Sequence, residues 1–396
     1  MPVAGNEPES VSRVHDLICQ VHKQRKRQSQ TEAVEKTWIM KYLYYTGILI
    51  STMETKIGIY YQYCRFWFPA LVHIALLANT ALLTIESFSG VYGMHVVVAC
   101  ECVNILSVAL WHCTYRVKHE LIEMLVKLQK ICSLTLGFRL GKIEVLVTNA
   151  ALVIFSITPT AFSLMFLCFE RDTSTDTFWT FGYKLGYFNH WGKLIIFVNV
   201  NLYVSLQVVF PGLVTCVYCS CCHRFSKLIT CCNNNLEIKV EACIKQKVSQ
   251  YIEILNGIEL LQRTFSKPIF LLVSMHVIHM FALLAYFLTF TKDQFTGVVI
   301  GESVVITSTS SLSICAVVLF AARIPESIHE VKQRYQLFQE NMVFKSSQRD
   351  EIIQLAIDRE VVVMSAGGFV QFQKSFILSV FGALLTYGLL ILQLNR

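Results

Sequence analysis

The chain of 396 residues is 54% hydrophobic and 15% charged, with a mean hydropathy of +0.51. Those proportions exclude an ordinary soluble globular protein and indicate an integral membrane protein. The formal charge of +7 would suit a nucleic-acid partner, but the basic residues sit in loops between apolar spans and fit membrane flanks instead, so nucleic acid is excluded.

Residues 1–65 open with a polar, basic region that lacks an apolar core ahead of a small-residue cleavage site, so no cleaved signal peptide is expected. Within it, "WIMKYLYYTGILISTM" is interrupted by Lys41 and flanked by Lys36 and Lys56, the pattern of a helix lying at the membrane surface. A bilayer core about 30 Å thick needs roughly 20 apolar residues as helix, because lipid offers no partner to free backbone polar groups. Seven stretches meet that length: 66–85, 91–113, 145–169, 194–216, 268–290, 296–321 and 372–394.

Most of the 34 Lys and Arg fall in the N-terminal region and in the second, fourth and sixth loops. By the positive-inside rule the N-terminus is cytosolic, and seven crossings put the C-terminus outside. Two inner loops, "RVKHELIEMLVKLQKI" and "LEIKVEACIKQKVSQYIEILNGIELL", place apolar residues at three- and four-residue steps with charges between. They are predicted amphipathic helices that extend the membrane helices into a packed cytosolic domain. Before the last span, "SSQRDEIIQLAIDREVVVMSAGG" is predicted as a further helix, with Ser347 and Asp350 as a capping box and Gly367 and Gly368 as its stop. The domains expected are therefore 1–65, a cytosolic N-terminal region; 66–321, a six-helix bundle with a ligand pocket; 322–371, a cytosolic anchor segment; and 372–396, a seventh span.

Seven spans raise the possibility of a G-protein-coupled receptor, and "ERD" at Glu170 to Asp172 has its acid–arginine pair in scrambled order. Loop charge places Glu170 outside, the last span lacks an Asn-Pro pair, and the sequence contains no Asn-x-Ser/Thr sequon. A secondary transporter is a further alternative, but the seven spans show no internal repeat.

The inverted topology and the C-terminal motif together resemble the insect gustatory receptors, within the seven-transmembrane chemoreceptor family that includes the odorant receptors and their co-receptor. The family's mark is Thr-Tyr, five mostly apolar residues, then Gln; this sequence has Thr386, Tyr387, "GLLIL" and Gln393. The approach "SAGGFVQFQKSFILSVFGALL" and the early "YLYYTGIL" are also similar to the family. The resemblance implies an all-α membrane protein acting as a ligand-gated, weakly selective cation channel. It implies four subunits, identical or related, joined by a cytosolic helical anchor around a pore lined by the last span. A small tastant such as a sugar, polyol or bitter compound would bind in the outer half of each subunit's own bundle. The expected location is the plasma membrane of chemosensory neurons.

From its own residues, the last span sets Ala383, Thr386, Leu390, Gln393 and Leu394 at three- and four-residue steps, so they share one helical face. Small residues there also suit ordinary helix packing. Rings of Leu390 and Leu394 would form a dry constriction, and a ring of Gln393 amides would replace part of a cation's hydration shell. Gln393 alternatively reaches headgroup water.

Ionisable groups inside spans are costly and face cavities or partners. Glu101 lies midway along the second span, with His95 and Tyr92 outward of it, and Glu302 in the outer part of the sixth. Thr158, Thr160, Trp191, Asn199, His279 and Tyr286 occupy the same outer half, and together these residues suit a polyol or a basic compound. Each also has a bland reading, a histidine on a neighbouring carbonyl or an aromatic in the interfacial belt, and only Glu101 lies too deep to reach bulk water.

The 15 cysteines are read as mostly reduced. In "CVYCSCCHRFSKLITCC", Cys219, Cys221 and Cys222 beside Arg224 and Lys227 suit reversible palmitoylation. The second cysteine pair lacks the intervening residues of a zinc knuckle, and no special chemistry is an equal reading. Nothing pairs a nucleophile with a base or builds a phosphate loop, so neither enzyme activity nor a cofactor is expected.

Overall fold

The computed structural model describes residues 94–135, 138, 141–169, 190–234, 241–289, 297–341 and 358–394, with Gln354 and scattered helical positions between 74 and 84. All lie in one compact unit, Met53–Arg396. Expectations for 1–65, for Tyr92, and for most of the span 66–85 lie outside these residues, as do the side chains of His95 and Leu394.

The described chain is almost entirely helical. Helix α1, Met94–Arg116, passes into α2, Lys118–Leu134, through the single residue Val117, whose amide still bonds the Cys113 carbonyl at 3.2 Å. The predicted amphipathic face of α2 is present, with Leu121, Met124, Leu128, Ile131 and Cys132 buried. Extended backbone at Thr135 ends it, and the Ile131 carbonyl accepts from both the Thr135 amide at 3.1 Å and the Thr135 hydroxyl at 2.9 Å. Helix α3 is Lys142–Phe169; α4, His190–Val204, continues through a π-helical turn, Ser205–Val209, into α5, Phe210–Asn234.

Helices α6, Glu241–Thr289, and α7, Gly297–Asn341, have 49 and 45 residues. At 1.5 Å per residue they are about 74 and 68 Å long, more than twice a hydrocarbon core. The predicted loop helix and membrane span are thus one rod in α6, unbroken across Pro268, as α7 is across Pro325. Among the described residues five helical runs are long and apolar enough to cross a membrane: those of α3, α4 with α5, α6, α7 and the last helix. Helix α1 has the length but carries Glu101, Asn104, Ser107 and Thr114.

The charged ends of α5, α6 and α7 make a tight core. Phe225, Tyr251, Ile254, Ile258, Leu261, Ile324 and Ile328 are fully buried there, and the Tyr251 and Tyr335 rings lie 5.8 Å apart. A Cβ on Gly257 would stand 2.7 Å from Phe225 Cε1, so glycine sets how closely α6 approaches α5. Toward the apolar end, Phe162 and Phe166 of α3, Ile196, Val200 and Val204 of α4, Val208 of the π turn and Ile306 of α7 form a second core.

One predicted helix is corrected at its C-terminal end, its earlier part lying mostly outside the described residues. Helical structure at Asp358 gives way to a bend at Arg359 and irregular chain at 360–364, as suits the β-branched run Val361 to Val363, which disfavours helix. Strands β1, Ser365–Ala366, and β2, Val370–Gln371, then pair antiparallel, Ser365 opposite Gln371 and Ala366 opposite Val370. Gly367 and Gly368, expected as a helix stop, are the turn of this hairpin, at φ 61° and 77°. Helix α8, Lys374–Leu394, follows.

Candidate functional site

Helix α8 packs against α6 and α7 by a narrow stripe: Val380, Leu384 and Gly388 are buried, and Tyr387 is half-buried. Only 17% of its apolar run is covered, against 50% for α6. The uncovered surface divides in two. Ser379, Ala383, Thr386, Leu390 and Gln393 follow one another at four- and three-residue steps on one exposed face. Leu378, Phe381, Leu385, Leu389 and Leu392 form a wholly apolar exposed face about a third of the circumference away.

The Thr-Tyr-x5-Gln motif therefore separates into two jobs. Tyr387 points inward, its ring edge-on to Phe281 of α6 at 4.9 Å and 87°. Beside it a Cβ on Gly388 would lie 3.2 Å from Leu284, so this glycine lets the two helices close. Thr386 and Gln393 point out of the chain. The Thr386 hydroxyl donates to the Gly382 carbonyl at 2.9 Å and Ser379 to Ser375 at 3.2 Å, so both hydroxyls are satisfied by their own helix while presenting oxygen outward. Gln393 has the most to gain from a polar neighbour beyond the chain.

Inside the bundle the structure gathers polar groups that sequence reasoning missed. The π turn brings Gln207 to α1, where its amide donates to Asn104 Oδ1. Ser107, one turn on, lies 3.4 Å from Gln207 Oε1 and 3.2 Å from Met275 Sδ, and its hydroxyl also reaches the Val103 carbonyl at 2.9 Å. All three polar residues are buried, and Asn104 Nδ2 has no hydrogen-bond partner. On the same face of α1, one turn earlier, buried Glu101 Oε1 is also without a partner. An unmatched donor and an unmatched acceptor thus lie one turn apart on one helix. Across the bundle His276 Nδ1 lies 3.1 Å from Ser310 of α7. The signal was available in the sequence: Glu101, Asn104 and Ser107 repeat at three-residue steps in an apolar run.

The remaining candidates do not form one group. His279 is buried in α6 beside His276. Glu302 of α7 bonds Tyr203 of α4 at the edge of the second core. Tyr286 is half-buried and packs edge-on to Phe287, while Asn199 is half-buried on α4. Trp191, 71% exposed, and Thr160 lie on the outside of the chain, so neither lines an enclosure within it. Thr158 turns its hydroxyl back to the Ile154 carbonyl at 2.7 Å.

Cys219, Cys221 and Cys222 are buried and free, so an acyl group would reach them only if the packing around α5 opened. No group of three or more metal-ligating residues converges among the described residues.

No protein-family model matches this sequence, and no curated protein matches it. Solved structures do. The insect olfactory receptor OR5 from Machilis hrabei superposes with a TM-score of 0.66 at 15% identity, over 93% of this chain and 99% of that one. The structure of the same receptor in complex with eugenol gives 0.67 at 15% identity, over 95% and 99%. With helices long and apolar enough for several crossings, the chain has the fold of a multi-pass insect olfactory receptor over nearly its whole length.

Proposed function

We propose that this protein is a chemosensory receptor of the gustatory kind, working as a ligand-gated, weakly selective cation channel. The observation that carries the reading is the exposed stripe Ser379, Ala383, Thr386, Leu390, Gln393 on a helix that its own chain leaves mostly bare. Of that row the Gln393 amide is costly against lipid, and the small and hydroxyl groups in line with it are well suited to water and ions. Four copies around an axis turn the stripe into a pore, with Leu390 and Leu394 as a dry constriction and Gln393 as a ring of amides. The neighbouring apolar face then meets an adjacent subunit or lipid. The likeness in fold to an olfactory receptor supports this reading.

Ligand enters each subunit's bundle. Glu101 and Asn104 offer the acceptor and donor that a hydroxyl group needs, which suits a sugar, polyol or phenol. His279 and the Glu302–Tyr203 pair are further candidate contacts on the facing helices. The Lys and Arg distribution supports a cytosolic N-terminus and an external C-terminus in the plasma membrane.

The test is expression of this chain alone in a non-neuronal cell, with whole-cell current recorded against sugars, bitter compounds and amines. Ligand-evoked current that persists when G proteins are blocked is expected. A response that strictly requires a G protein overturns the channel.

A further inference from the structure

The segment that delivers α8 to the bundle is fastened to α6 by a ladder of polar contacts. Its rungs on α6 are Asn256, Glu259, Gln262, Ser266 and Phe270, which step by three and four residues along one face. The Arg359 guanidinium reaches Asn256 Oδ1 at 2.6 Å and Glu259 Oε1 at 2.7 Å, and Lys332 of α7 donates to the Arg359 carbonyl. Gln262 comes next. Its carboxamide accepts the Ser365 amide at 3.1 Å and donates to the Ser365 carbonyl at 2.9 Å and hydroxyl at 2.7 Å. A side-chain amide here pairs with a strand as a third strand's peptide group would. Gly367 N–H then bonds the Ser266 carbonyl at 2.9 Å, and Phe270 packs against Phe369 at 5.9 Å.

Farther along, the attachment changes character. From Phe281 onward α8 touches α6 through ring and methyl contacts, Phe281 with Tyr387 and Leu284 with Gly388. Hydrogen bonds fix direction and register, whereas apolar surfaces slide at low cost. The hairpin end of α8 is the fixed end and the Tyr387 end is the free one.

We propose that Gln262 is the fulcrum of α8: a positioning residue, outside pore and ligand site, whose three bonds to Ser365 hold the inner end so that the helix tilts rather than shifts. The proposal rests on the channel reading for its electrical consequence, but not for its structural one. With the fulcrum loosened, α8 drifts from the position it holds here, and conduction no longer waits for ligand.

The variant Gln262→Met keeps the side chain's length and volume and removes all three bonds, while Gln262→Glu keeps the acceptor for the Ser365 amide and loses both donated bonds. Hydrogen exchange of purified protein is expected to show at least tenfold faster exchange of the Ser365 and Gly367 amides in Gln262→Met, and an intermediate change in Gln262→Glu. In cells, at matched surface expression, current without ligand should rise severalfold as a fraction of the maximal ligand-evoked current, with cation permeability ratios unchanged. Unaltered exchange in both variants removes the clamp. Faster exchange with an unchanged ligand-free fraction reduces the hairpin to a structural tie and overturns the fulcrum. If the wild-type chain carries no ligand-evoked current, the channel reading fails and the exchange result still decides the clamp.

Discussion

Helices α6 and α8 are both built to cross a membrane, but they relate to the rest of the chain in opposite ways. Half of the α6 apolar run is buried, and the helix packs against α1, α2, α5, α7 and α8. Helix α8 buries one stripe and leaves two faces bare. In lipid, an apolar face gains little by hiding from its surroundings, so burial there reflects shape and polar matching rather than water avoidance. The lesson is that α6 finds most of its partners within one chain, whereas most of the α8 surface finds none there.

Substitutions can break that contrast. Phe225→Ala, in the core that α5, α6 and α7 share, should cost about 3–5 kcal/mol, because a fully buried ring leaves a cavity; a large fall in melting temperature of the detergent-solubilised protein checks it. Tyr387→Ala, on the one stripe by which α8 does pack, should cost about 1–3 kcal/mol by losing a half-buried ring and its edge contact. Gly367→Ala forces a side chain into φ 61° and sets its Cβ about 3.1 Å from Phe270, which should cost about 1–2 kcal/mol and speed exchange of the hairpin amides. Lys374→Ala removes an exposed 2.7 Å pair with Glu326 and should change stability by less than about 1 kcal/mol. Gln393→Ala should leave the melting temperature unmoved and alter cation permeability ratios. A marked loss of stability in the Gln393 variant, or unchanged ratios, would erase the distinction between the two helices.

The long helices were legible because their cause is local: three- and four-residue spacing writes an amphipathic face directly into the sequence. The stripe on α8 was legible for the same reason, and its members came out on one exposed side, apart from Leu394, whose side chain is not described. What stayed hidden depends on tertiary partners. The run from Arg359 to Gln371 has a helix-like start and a glycine pair, but three successive valines and the waiting Gln262 amide favour extended chain. Trp191 and Thr160 were placed inside by depth along their spans, yet depth says nothing of rotation about the helix axis, and both face out. The Asn104–Gln207 pair joins residues 103 positions apart, beyond any local pattern.

The π turn at Ser205–Val209 makes chain length itself a variable in the rod formed by α4 and α5. Such a turn holds one residue more than the same stretch of α-helix, so the segments above and below it are out of phase by about 100°. Deleting one residue, Leu206 for instance, would let α4 run into α5 as ordinary helix. The rotation would swing Gln207 off Asn104 or carry the Phe162–Val204 core out of register, since one rigid rod cannot satisfy both. A single inserted residue lets one transmembrane rod serve two differently oriented interiors, and losing it would scramble the core without changing its composition.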